Sequence, residues 1–282
     1  MTRLVRKAAI TGHPVSHSRS PLIHGYWLEK HGLEGEYGRV DVLPENAEHF
    51  YGNFADSGLI GANVTVPFKE IAAKSCDWLD DAASAMGAAN TLWLDEAGRL
   101  CGANTDGLGF LGNLDQLSPD WDETPGTAVV LGAGGAARAI VWALLSRKYT
   151  TVHIVNRTRE KAEKISNEFG NGTVAHGWEN LGTTLAQADV LVNTTSLGMT
   201  GKPPLEIDLK NLPATALVND IVYSPLETDL LKQAAARGNP TVDGIGMLLH
   251  QAVPAFERWF GERPVVTDEL RTLALKDLGV IT

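Results

Sequence analysis

The chain alternates between two hydrophobic periods. The apolar and β-branched runs "KAAITG" (7–12), "EYGRVDVL" (36–43) and "LIGANVTVP" (59–67) predict strands. Between them, "SPLIHGYWLEKHG" (20–32) predicts a helix capped by Ser20, with Pro21 at its first position and Gly32 at its end. "PENAEHFYGNFADSG" (44–58) and "FKEIAAKSCDWLD" (68–80) predict two more helices. "ANTLWLD" and "LCGANT" predict two strands around a turn at "EAGR" (96–99).

The alternation continues after "DGLGFLGNLDQL" (106–117), where the chain crosses to a second unit, and "SPDWDETPG" (118–126) is a polar turn or linker. "TAVVLGAG", "TVHIVNR", "DVLVNTT" and "ALVNDIVY" predict strands. "GAARAIVWALLSRK", "REKAEKISNEF" and "TDLLKQAAARG" predict helices, and two helical patterns follow at 245–260 and 267–277. Strands alternating with helices predict an α/β fold with mostly parallel sheets. The expected division is 1–108 plus 241–282 as one domain, with 109–240 inserted as the other and a cleft between them.

Composition narrows the class. The 282 residues are 44% hydrophobic and 21% charged, as in a soluble globular chain with room for a sizeable core. A formal net charge of −10 with scattered Lys and Arg argues against a nucleic-acid partner. Two cysteines, Cys76 and Cys101, match no metal spacing and make no disulfide framework. No apolar run approaches the length of a membrane span, and the N-terminal "MTRLVRKAAITGHP" has no apolar leader-like stretch. A cytoplasmic protein is expected.

"VVLGAGGAARA" (129–139) is an apolar strand, a Gly-rich turn and a helix, in that order. Gly132, Gly134 and Ala137 fill the dinucleotide pattern: a tight turn, a close approach to pyrophosphate and close helix–strand packing. Gly132, Ala133, Gly134, Gly135 and Ala136 are the expected cofactor contacts in this turn. The bare alternative is a tight turn with no ligand. An NAD site expects an acid at the end of the next strand, to bond the ribose. Here "NRTREK" (156–161) has none at Asn156, Arg157 or Thr158. Arg157 suits a 2′-phosphate and can stack on adenine, Thr158 adds a hydroxyl, and Arg159 and Lys161 add charge. The other reading makes Thr158 a helix cap among solvated charges. NADP is expected over NAD.

"NVTVPFKE" (63–70) puts Lys69 in the first turn of a helix, with Pro67 as the first helical residue. The helix dipole there disfavours a cation, which suits a Lys that exchanges a proton near neutral pH. By itself Lys69 also reads as an exposed Lys tolerated at small cost. In "CGANTDGLGF" (101–110), Asp106 stands at a strand-to-helix junction, where it is either a helix cap or a carboxylate at a ligand-binding strand end. Together the two could hold a hydroxyl and pass its proton while hydride leaves the carbon. "GLGFLG" (107–112) reads as a hinge. His13, His17 and His24 make no metal site, because Pro14 prevents a helix from aligning the first two.

The ordered motifs resemble the shikimate dehydrogenase family from near residue 8 to near residue 260. They are "GHPVSHSRSPLIH" (12–24), "NVTVPFK", "GAANT" (87–91), "GANTDGLGF", "GAGGAAR" (132–138), "NRTREK", "NTTSLGM" (193–199), "DIVYSPLET" (220–228) and "DGIGMLLHQA" (243–252). "GAANT" departs from the usual pattern only in having Ala where the family has Val. The resemblance implies an α/β substrate-binding domain beside a Rossmann-type NADP-binding domain. It implies reversible NADP-linked reduction of 3-dehydroshikimate to shikimate in aromatic amino acid biosynthesis. It also implies roles: Ser18 and Ser20 on the carboxylate, and Thr65, Asn90 and Gln251 on ring hydroxyls. Lys69 and Asp106 flank the oxidised hydroxyl, Tyr223 touches substrate, and Ile221 and Gly244 meet the nicotinamide end. Each also has a structural reading: Ser20 a cap, Asn90 a turn residue, Thr65 a strand former, Gln251 an exposed helix residue, Tyr223 core. The alternatives in function are a quinate/shikimate dehydrogenase of broader specificity and a non-catalytic NADP sensor. Monomer and homodimer are both compatible.

Overall fold

The structure, a computed structural model, describes residues 5–281; the first four residues of the N-terminal segment read above lie outside it. In chain order the elements are β1 (Arg6–Gly12), α1 (Ser20–Lys30), β2 (Gly35–Asp41), α2 (Ala47–Gly52), β3 (Gly61–Val64), α3 (Lys69–Ser75), β4 (Trp78–Leu79), α4 (Asp81–Met86), β5 (Thr91–Leu94) and β6 (Leu100–Ala103). Then come α5 (Asp106–Leu117), β7 (Thr127–Leu131), α6 (Gly135–Ser146), β8 (Thr151–Asn156), α7 (Arg159–Phe169), β9 (Thr173–Gly177), α8 (Leu181–Leu185), β10 (Val190–Asn193) and β11 (Leu217–Asp220). The chain closes with α9 (Asp229–Ala236), β12 (Thr241–Val242), α10 (Ile245–His250), α11 (Ala252–Phe260) and α12 (Asp268–Asp277).

Among the described residues two compact units result: 5–105 with 251–274, and 106–250 with 275–281. The first carries a mixed sheet in the order β2-β1-β3-β5-β6-β4. β1 runs parallel to β2 and β3, while β5 is antiparallel to β3 and β6. Its core gathers Tyr51, Phe54, Phe68 and Leu92. The second unit carries an all-parallel sheet, β12-β11-β10-β7-β8-β9. Its two faces bury separate cores: Ala128, Val130 and Ile140 on one, and Val129, Leu131 and Leu185 on the other. A parallel sheet buried on both faces explains why its strands are continuous apolar runs.

Several expectations shift locally. The second unit takes in α10 as well as α5, because Asn113 Nδ2 on α5 donates to the Asp243 carbonyl just before α10 at 2.7 Å. Helix α1 begins at Ser20, so Arg19, not Ser20, is the cap residue, and no side chain caps the helix. The stretch 44–58 is not one helix but α2 between two short 3₁₀ turns. Asn53 breaks it, its side-chain amide donating to the His49 carbonyl at 2.9 Å. The helix expected over 68–80 ends at Ser75. Cys76 turns extended, and Asp77 N–H donates to the Leu100 carbonyl at 2.7 Å, which draws the next residues into β4. Pro67 lies in a turn before α3 rather than in it. The stretch 118–126 packs within the second unit: Trp121 stacks on Tyr149, and Arg147 bridges Asp115 and Asp122. The glycines read as a hinge lie inside α5, where they permit close packing. A Cβ at Gly107 would sit 2.9 Å from the Ala139 carbonyl, and one at Gly112 would sit 2.7 Å from the His250 ring.

Candidate active site

In the first unit the candidate residues collect at the C-terminal ends of β1 and β3 and the start of β5. Asn90, immediately before β5, is only 3% exposed. Its Oδ1 accepts from the Thr105 N–H at 2.9 Å and from the Thr91 hydroxyl at 3.0 Å. Its backbone is committed too: the carbonyl accepts from Val64 N–H at 2.8 Å and the N–H donates to the Ala103 carbonyl at 2.9 Å. Asn90 is therefore the buried joint of three segments, not an open turn residue. Burying an amide is favourable only when it is paired in this way.

From Asn90 the polar chain runs both ways. The Thr105 hydroxyl donates to the Gln251 carbonyl at 2.8 Å, which fixes the start of α11 beside the strand ends. Gln251 itself is half-buried at the cap position of α11 rather than on an exposed face. On the other side, Asn63 Nδ2 reaches the Asn90 carbonyl at 3.3 Å and the Thr91 hydroxyl at 3.2 Å. Asn63 Oδ1 accepts from the Tyr37 phenol at 2.6 Å. Burial raises the Tyr37 phenol pKa, against the nearby Ser20 and the charge of Arg39. Ser20 is buried, and Ser18 Oγ lies 3.3 Å from both its hydroxyl and its N–H. Tyr37, Asn63, Asn90 and Gln251 thus share one hydrogen-bonded framework, and the paired Ser18 and Ser20 lie beside its Tyr37 end.

Thr65 and Lys69 join its edge. Thr65 is half-buried; its N–H donates to the Thr11 carbonyl at 2.9 Å, and its own carbonyl accepts from Phe68 N–H at 3.1 Å. That turn delivers Lys69 as the first residue of α3. The Lys69 carbonyl accepts from Ala89 N–H at 2.9 Å, so its backbone is pinned one residue from Asn90. Asn63, Thr105 and Tyr37 are functional candidates that the sequence alone does not single out. The first two lie inside the motifs themselves, and Tyr37 carries no signal.

In the second unit, Asp106 opens α5, directly after Thr105 in the chain. The Gly-rich turn joins β7 to α6. Gly132 has φ +107°, and a Cβ there would sit 2.6 Å from Thr194 Oγ1, so only glycine fits. Gly134 is the cap residue of α6, and Gly134 and Gly135 face open space. Ala133 and Ala136 are not fully covered, and Ala137 is fully buried where α6 meets the sheet. This leaves the N–H groups at the start of α6 approachable by an anion.

Within the same unit is a groove of about 580 Å³ lined by Asn156, Arg157, Trp178, Thr195, Pro203 and Glu206, among others. Asn156 is held by a hydrogen bond from its Nδ2 to the Thr158 carbonyl at 2.8 Å. Arg157, Thr158, Arg159 and Lys161 are exposed, and Arg159 pairs with Glu163 at 2.9 Å. Thr158 caps α7 in position, though not with its side chain. The acid in the groove lining, Glu206, comes from the segment after β10 and not from the end of β8. An open helix start, an arginine at the β8 end and a groove this size fit a dinucleotide with a 2′-phosphate. Trp178 follows β9, a strand the apolar pattern does not predict because it alternates weakly.

At the end of β11, Asp220 accepts from Asn193, Val222 N–H and Thr228 at 2.9, 3.0 and 2.8 Å. Burial outweighs these bonds and pushes its pKa up to about 6. This anchor carries Ile221 and Tyr223, both half-buried. Gly244 packs directly on the Asp220–Ile221 backbone, where a Cβ would collide with the Ile221 carbonyl.

A doubly wound parallel sheet with a Gly-rich turn, in one chain with a unit carrying a convergent polyol-type set of hydroxyls and amides, defines a dinucleotide-linked oxidoreductase fold. The family model described as the shikimate dehydrogenase substrate binding domain matches residues 10–92. Those for shikimate / quinate 5-dehydrogenase and for the shikimate 5′-dehydrogenase C-terminal domain match 120–200 and 244–266. A shikimate dehydrogenase (NADP(+)) of Azorhizobium caulinodans is 54% identical over 275 residues, 98% of each chain. The shikimate 5-dehydrogenase of Thermus thermophilus, solved with NADP(H) and shikimate, is 34% identical with a TM-score of 0.84, over 98% of this chain and 100% of that one. Quinate dehydrogenase of Corynebacterium glutamicum, solved with NAD, is 30% identical with a TM-score of 0.86, over 96% and 99%. The chain belongs to the shikimate dehydrogenase family.

Proposed function

We infer that this protein is an NADP-dependent shikimate dehydrogenase, interconverting shikimate and 3-dehydroshikimate. The observation that carries the reading is the framework around Asn90, which draws the Lys69 backbone and the start of α11 to one end of the sheet. A cyclic hydroxy acid requires this chemistry: paired donors and acceptors for its hydroxyls, and hydroxyl donors for its carboxylate.

Ser18 and Ser20 bind the carboxylate. Thr65, Asn90 and Gln251 hold ring hydroxyls, and Tyr223 supports the bound substrate. The nicotinamide of bound NADP supplies the hydride chemistry. Lys69 Nζ holds the reacting hydroxyl and exchanges its proton, and the Asp106 carboxylate orients that hydroxyl. Gly132, Ala133, Gly134, Gly135 and Ala136 carry the pyrophosphate; Asn156, Arg157, Thr158, Arg159 and Lys161 carry the adenosine end and its 2′-phosphate; Ile221 and Gly244 meet the nicotinamide end. The reading places the enzyme in the cytoplasm, acting on a small acid without a membrane or nucleic-acid partner, as monomer or homodimer. The test is product identification: NADP and shikimate incubated with the purified chain should yield NADPH and 3-dehydroshikimate in equal amounts by mass spectrometry. NADPH without that ketone would overturn the assignment.

A further inference from the structure

Strand β2 takes no role from the motifs, yet side chains on one of its faces hold the whole serine turn. Residues two apart on a strand share a face. Tyr37, Arg39 and Asp41 do so here: Arg39 and Asp41 tie down the loop between β1 and α1, and Tyr37 sits beside Ser20, where that loop enters the helix. Asp41 meets His13 Nδ1 at 3.2 Å. Arg39 Nη2 donates to the Ser18 carbonyl at 2.8 Å. The Tyr37 phenol donates to Asn63 Oδ1 at 2.6 Å and lies close enough to Ser20 for the two to interact electrostatically.

Tyr37 is itself held from behind. Its ring stacks on His24 with centroids 4.1 Å apart and planes 7° from parallel. His24 is wholly buried among Trp27, Phe256 and Trp259. Neither of its ring nitrogens has a hydrogen-bond partner of good geometry among the described residues. Burial drives its pKa down to about 3 against the nearby Asn63 amide, so the ring packs as a neutral aromatic. The stacked ring presents its phenol to Asn63. The tyrosine's single proton goes to Asn63 Oδ1, which turns Asn63 Nδ2 toward Asn90 and Thr91.

We propose that Tyr37 and Arg39 are positioning residues for carboxylate recognition, setting the Ser18–Ser20 turn and coupling it through Asn63 to Asn90. This rests on the shikimate dehydrogenase reading above. Neither residue is assigned contact with substrate; both act through the serines.

The test uses the full chain with Tyr37→Phe, which keeps the stacked ring and removes one oxygen, and Arg39→Gln, which removes the second tie at an exposed position. Kinetics are measured with shikimate and with methyl shikimate, whose carboxylate is masked. Loss of one such hydrogen bond should raise KM for shikimate about tenfold. The KM for methyl shikimate should change less than about threefold, with kcat and the KM for NADP nearly unchanged. An unchanged shikimate KM in Tyr37→Phe, or equal losses on acid and ester, would overturn the proposal. If Tyr37→Phe does not fold, Arg39→Gln decides alone by the same acid-to-ester ratio. A parent protein that binds NADP but does not oxidise shikimate would sink the functional reading, and the proposal with it; an active parent with indifferent variants would sink the proposal alone.

Discussion

Thr105 closes a short polar circuit with Asn90: its N–H donates to Asn90 Oδ1 at 2.9 Å while its hydroxyl donates to the Gln251 carbonyl at 2.8 Å. One residue before Asp106, the chain is thus locked to two candidate substrate ligands at once. Thr105→Val keeps the shape and removes the hydroxyl. Loss of this one hydrogen bond should cost about 0.5–1.5 kcal/mol of stability. It should also raise the substrate KM more than the NADP KM. Thermal melts and steady-state kinetics read both; equal change in the two KM values would contradict the circuit's role.

Lys69 is held by its backbone next to the Asn90 segment. Lys69→Ala should lower kcat by about 10²–10⁴, the range for loss of a positioned proton carrier. NADP affinity, followed by quenching of protein fluorescence, should stay near that of the parent. Full activity in this variant would end the proposed mechanism.

Arg157 lines the groove at the end of β8, where no acid stands. Loss of a charge-assisted bond to phosphate is worth about 1.5–3 kcal/mol, or roughly 10- to 150-fold. Arg157→Gln should weaken NADP by that order and NAD much less, narrowing the preference between them. Equal losses for both cofactors would remove Arg157 from 2′-phosphate recognition.

The buried His24 makes a pH prediction. The ordinary imidazole pKa is 6.5, and in the fold it falls to about 3. Between those values the unfolded chain binds a proton that the folded chain does not, so stability falls as pH drops through the window. His24→Phe keeps an aromatic ring in the stack and removes the titration. Its melting temperature should decline less than the parent's between about pH 6.5 and about pH 4; parallel declines would show that another group governs acid unfolding.

Much of this was legible because the motifs are local. The β7 strand, the Gly132 turn and α6 are contiguous, and Gly132 declares its positive φ by being glycine. Helix α7 covers the predicted "REKAEKISNEF" residue for residue. Capping was less legible. Ser20 has the ideal residue type for a cap, but the serine turn enters the helix one residue earlier, with Ser18 taking the Ser20 N–H. The α3 segment ended early because Asp77 pairs with Leu100, a partner 23 residues away that helical periodicity does not register. Tyr37 and Trp178 were illegible for the same reason. Their meaning comes from β2 lying beside β1, and from β9 lying beside β8, and strand order is not written in either segment.

The most direct test of the central claim is NADPH formation by the purified chain with shikimate and NADP, run beside quinate and beside NAD. The account predicts rapid turnover with shikimate and NADP, and far lower kcat/KM when either is exchanged. Comparable efficiency with quinate or with NAD would contradict it in favour of the broader quinate/shikimate activity, and NADP binding without turnover would contradict it in favour of a sensor.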